Sequence, residues 1–157
     1  MIDFTQKAEI FKAVLNYGNY FTIIDELPEK DGVIHSFFVI DIETDKKFSI
    51  FKFEKAVIKV FTKKAVKQNS EGRARQLFAL MQEYYLDTKK PIILIFHSAH
   101  FLQLKFFRAM KTVFENARDF EIALAIIFVG DIPKIDKIIN KEKGISLRSD
   151  HIQRRTF

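Results

Sequence analysis

The spacing of apolar positions changes several times along the chain, and each change marks an element. In residues 5–17, TQKAEIFKAVLNY, the positions Ile10, Phe11, Val14 and Leu15 recur at helical spacing, with Thr5 able to cap the helix and Gly18 able to close it. Residues 20–24, YFTII, read as a strand, and residues 27–32, LPEKDG, as a turn. Residues 33–61 admit two readings. FFVIDIETDKKFSIFKFEK alternates around TDKK as a hairpin does, whereas residues 33–42 alone also suit a buried helix. In residues 71–86, Leu77, Leu80, Met81 and Tyr84 share one helical stripe. Residues 92–96, IILIF, are apolar without alternation, as expected of a strand covered on both faces. A helix over 102–116 follows, then a second such strand over 123–129 ending at Gly130, then a short helix over 135–140.

Strand, helix, strand, helix in this order predicts a layered α/β domain built on a parallel sheet with right-handed crossovers. Ligands in such sheets sit beyond the carboxyl ends of the strands. That rule singles out His97 to His100 and Gly130-Asp131, and also Asp25 and Glu26 if residues 20–24 join the same sheet.

Three stretches in order, KPIILIFHSAHFL, FFRAMKTVFENA and IALAIIFVGDIPKIDKIINKEKGISLRSDHIQRR, resemble the AAA+ ATPases of the transposition-helper group. These are the phage Mu B, TniB and TnsC types and the related ExeA-like ATPases. The match covers residues 89–155, a little under half the chain. The resemblance implies a parallel-sheet P-loop core, a three-layer α/β sandwich, over residues 1–157 as one domain. The chain ends near where the family's helical lid begins, so the core is expected without its lid.

The nucleotide machinery of that family does not carry over. A phosphate loop, G-x-x-x-x-G-K-[ST], belongs after residues 20–24, and the chain reads DELPEKDGVI there. Glu26, Pro28, Glu29, Asp31 and Gly32 occupy the loop. Val33 and Ile34 stand where the Lys and hydroxyl would follow Gly32. Asp25, Glu26, Glu29 and Asp31 would oppose a triphosphate, at a cost of about 1 kcal/mol each even when screened. The resemblance puts His97 at the magnesium-organising Asp and Ser98 at the water-activating Glu. Imidazole is a poor partner for magnesium, and an unassisted serine is no general base. The expectation is a pseudo-ATPase with a degenerate nucleotide site made of these loop residues, His97, Ser98 and Gly130, and with no catalytic residue, cofactor or metal.

The same positions bear on other chemistry. His97 and His100, with His35 or His151, form only a weak metal-ligand pattern. Ser98 lacks a G-x-S-x-G elbow. The alternative function is a metal-dependent nuclease or another hydrolase, using Asp41, Glu43 and Lys52 on a hairpin or the histidines.

Composition narrows the classes further. The chain has 157 residues, 18 of them Phe, and no Cys, which excludes disulfides and thiolate chemistry. Its longest apolar runs fall far short of the roughly 18 residues that a membrane span needs. No secretory h-region opens the sequence, so a cytoplasmic location is expected. The net charge of +6 permits a polyanionic partner. Lys59, Lys63, Lys64, Lys67, Arg73 and Arg75 form a candidate nucleic-acid-binding group. Arg148, Arg154 and Arg155 form a candidate oligomer or partner contact, although Asp150 stands where the family's LRSR-like stretch has a second Arg. The expected partners are DNA and related AAA+ ATPase subunits or further copies of the chain.

Overall fold

The computed structural model describes residues 21–24, 37–141 and 152–155. The expected helix over 5–17 and turn over 27–32 lie outside them. Nine elements follow in chain order: β1 (Phe21–Ile24), β2 (Phe38–Glu43), α1 (Ile50–Phe61), α2 (Ser70–Thr88), β3 (Ile92–His97), α3 (Leu104–Asp119), β4 (Leu124–Val129), α4 (Ile132–Ile139) and β5 (Ile152–Arg155). A 3-10 turn over Ala99–Phe101 joins β3 to α3.

The five strands form one sheet in the order β2-β3-β4-β1-β5, and every pair is parallel. The strand expected over 20–24 is β1, described over Phe21–Ile24, and it joins the sheet. The apolar runs behave as unalternated runs should: Ile92 to Phe96 and Leu124 to Phe128 are all buried. Even-numbered residues of β3 and β4 (Ile92, Leu94, Phe96, Leu124, Ile126, Phe128) face the main core, together with Phe53 and Val57 of α1, Leu77 and Met81 of α2, Phe107 and Met110 of α3, and Ile135 and Ile139 of α4. The odd-numbered Ile93, Ile95, Ala125 and Ile127, with Phe37, make a second buried cluster on the opposite face. The described helices contribute no side chain to that second cluster. Phenylalanines fill the middle of the main core. Phe96 stacks on Phe128 with ring centroids 5.3 Å apart and meets Phe106 edge-on at 5.3 Å.

Both readings of residues 33–61 need correction. Residues 38–43 are a strand, but its partner is β3, in parallel, and residues 50–61 are a helix. The hairpin that Asp41, Glu43 and Lys52 would need is not formed. Ile50, Phe53, Val57, Ile58 and Phe61 recur at helical spacing over twelve residues, which outlasts the short alternation at Phe48 and Ile50. Ser49 caps α1, its hydroxyl accepting from the backbone N–H of Lys52 at 3.3 Å. The helix expected over 102–116 starts at Leu104, because the 3-10 turn takes up the residues before Gln103.

Candidate functional site at the carboxyl ends of β2, β3 and β4

The register sets the site. Glu43 lies opposite His97, and one step earlier Phe96 lies opposite Phe128. Ile24 lies opposite Val129 and Arg155. The strands thus end level with one another, and the described loops that leave β2, β3 and β4 share one rim.

At the end of β3, His97 Nε2 is 2.8 Å from Asp41 Oδ1 on β2. Residues 41, 95 and 97 lie on one side of the sheet, because Asp41 pairs in register with Ile95 and side chains alternate. The two rings of candidates read separately from the sequence, the acid of the hairpin and the histidine of the strand end, are therefore one hydrogen-bonded pair. The Thr44 hydroxyl, in a residue only 8% exposed, donates to this rim as well: it lies 2.6 Å from His97 O and 3.0 Å from Ser98 O. Sequence reasoning missed Thr44, and a threonine after a strand carries no signal that would have found it.

Ser98 is held at φ 56° and ψ 40°, the left-handed region that a residue with a side chain enters at a cost of about 1–2 kcal/mol. That bend sends the chain into the 3-10 turn, which packs against the end of β4. A Cβ placed on Gly130 would lie 2.7 Å from His100 Nδ1 and 3.2 Å from His100 N. Only a glycine lets the two loops approach this closely. His100 Nδ1 accepts the backbone N–H of Asp131 at 3.3 Å. Asp131 in turn caps α4, its carboxylate accepting from Lys134 N at 3.0 Å.

His97 and His100 therefore serve different partners, Asp41 and Asp131. Among the described residues no group of three His, Asp or Glu side chains is placed to hold a metal ion. Magnesium takes oxygen donors in a near-octahedral shell. The end of β3 offers an imidazole bonded to Asp41, and that bond lies toward β2, on the far side of β3 from β4 and β1. Glu26, Pro28, Glu29, Asp31 and Gly32, the loop candidates, lie outside the described residues, as do His35, Arg148 and His151.

The basic group is divided by the fold. Lys59, Lys63, Lys64 and Lys67 are exposed around the end of α1 and the loop after it. Arg75 is exposed on α2 and pairs with Glu71 one turn earlier. Arg73 is inside. It is 8% exposed, pairs with buried Glu54 of α1 at 3.3 Å, and also donates to Gln68 O. Its guanidinium lies over the Phe51 ring, 4.7 Å from the centroid. Arg154 and Arg155 fall on β5 at the far edge of the sheet.

No family model and no curated protein sequence matches the chain. Solved structures do match in fold. A chain of Drosophila ORC bound to poly(dA/dT) DNA and Cdc6 superposes with a TM-score of 0.61 at 10% identity, over 98% of this chain and 27% of that one. ORC2 from Aeropyrum pernix gives 0.58 at 9% identity, over 97% and 46%. Cdc6p from Pyrobaculum aerophilum gives 0.53 at 11% identity, over 96% and 44%. The chain thus spans less than half the length of these proteins, whose likeness at such low identity is one of architecture. The transposition-helper type is not among these neighbours, which are ORC and Cdc6 proteins. A five-stranded parallel sheet in the order β2-β3-β4-β1-β5 and this set of neighbours together give the chain the α/β fold of a AAA+ P-loop core.

Proposed function

We propose that this protein is a non-hydrolysing AAA+-like module that works by association, with DNA and with AAA+ ATPase subunits. The observation that carries this reading is the His97–Asp41 pair at the end of β3. At the position where a hydrolysing core of this fold needs a metal-organising carboxylate, an imidazole is engaged sideways with the edge strand. Ser98 follows it in a backbone conformation fixed by the turn, with no carboxylate for water activation. The finer reading, a relation to the target-selection ATPases of phage and other mobile elements, rests on the sequence resemblance over residues 89–155. The Drosophila ORC chain described above, in a complex with DNA and Cdc6, supports the coarser one.

Phosphate release from ATP, with magnesium and with or without DNA, tests the proposal. The expected rate equals the buffer blank, and equilibrium dialysis with magnesium-ATP is expected to show no saturable binding. Turnover above the blank that His97→Ala or Ser98→Ala abolishes would refute it.

A further inference from the structure

From Lys46 to Ser70 the sequence holds eight lysines and a single acid, Glu54. The fold removes that acid from the surface. Glu54 is 6% exposed and neutralised by Arg73 reaching across from α2. What remains outside is a one-sign surface. Lys52, Lys55 and Lys59 recur three and four positions apart along α1, which puts them on one stripe, and all three are exposed. Lys63 and Lys64, also exposed, follow the Thr62 cap in sequence, and exposed Lys46 and Lys47 precede the helix. The hydrophobic side of α1 is spent on the core, where Phe53, Val57 and Ile58 have no exposed surface.

We infer that the outer face of α1 is a docking surface for the phosphate backbone of a nucleic-acid duplex. This deepens the DNA arm of the proposed function and rests on it. The geometry is that of a rail: Lys52 to Lys59 spans about 10 Å at 1.5 Å per residue. A duplex strand carries one phosphate per about 3.4 Å of its axis, so this length faces about three phosphates, and Lys63 and Lys64 extend the reach. Charge complementarity with a regularly charged rod is the match. An anionic bilayer fits less well, because a helix lying in a membrane interface buries a continuous apolar face there. Here only Phe51 and Val60 are large apolar side chains exposed on α1. The stripe holds no aromatic ladder for unstacked bases, so contact is to the backbone and independent of sequence. Arg73, counted among the binders by charge alone, acts instead by hiding Glu54.

The test is fluorescence anisotropy with a labelled 30-base-pair duplex between roughly 50 and 200 mM salt, with no nucleotide present. The wild type is expected to bind with a log–log salt slope of about −4 to −5, the value for about five neutralised phosphates. Lys52→Gln/Lys55→Gln/Lys59→Gln is expected to weaken binding at least about tenfold and to reduce the slope by about 3. These side chains are exposed, and unchanged far-UV circular dichroism confirms that the variant folds. Lys134→Gln/Lys137→Gln, on the exposed side of α4, is expected to change neither quantity. Duplex binding that the triple variant leaves intact overturns the stripe and spares DNA association through another surface. A wild type that binds no duplex overturns both. Preferential binding to phosphatidylserine vesicles overturns the stripe in favour of a lipid surface.

Discussion

Gly130 sits where two loops come within contact of each other. Its missing side chain is what lets the 3-10 turn after β3 close onto the end of β4, with His100 accepting the Asp131 amide. Gly130→Ala must push the His100 ring and backbone aside, and overpacking of this kind costs about 1–3 kcal/mol. The expected outcome is a lower midpoint in urea at unchanged slope, with the β3 and β4 loops the first amides to lose hydrogen-exchange protection. Gly130 was visible in the sequence because glycine punctuates a strand end. His97 and Asp41 were visible too, but as members of different constellations. Fifty-six positions separate them, and neither residue's neighbours in sequence encode the register that brings β2 beside β3. Thr44, which ties its hydroxyl to two carbonyls of the next strand, was not legible at all.

At the scale of elements, α1 and α2 are joined by the pair of Glu54 and Arg73, with side chains 7% and 10% exposed. A buried pair costs a great deal to break and little to replace whole. Arg73→Met alone strands the Glu54 carboxylate and is expected to cost about 3–5 kcal/mol. The double variant Glu54→Leu/Arg73→Met is expected to recover most of that loss, and a denaturant double-mutant cycle reads the difference. The same helix pair shows where local pattern misleads. Residues 47–54 alternate well enough to suggest a strand, and only the longer run to Phe61, with Ser49 as its cap, reveals the helical period. The long elements α2, β3, α3 and β4 were legible to within a few residues, because their apolar positions hold one period throughout. Charge counting assigned Arg73 to the surface, since sequence alone gives no sign that an acid nineteen positions away is waiting inside.

At the scale of the molecule, the sheet was legible as parallel and doubly covered, but the strand order was not, because β1 and β2, neighbours in sequence, are held apart by β4 and β3. This order leaves β2 and β5 as the two outer strands. Along β2, exposed Asp41 and Glu43 alternate with buried Ile40 and Ile42. Two copies meeting rim to rim through β2 would bring four carboxylates into apposition, so the same acid that steadies His97 also deters chain-to-chain sheet growth. Asp41→Asn/Glu43→Gln keeps an acceptor for the imidazole while lifting that repulsion, and light scattering of concentrated solutions is expected to report larger particles than the wild type forms. The fold thereby couples the local geometry of its rim to its colloidal behaviour.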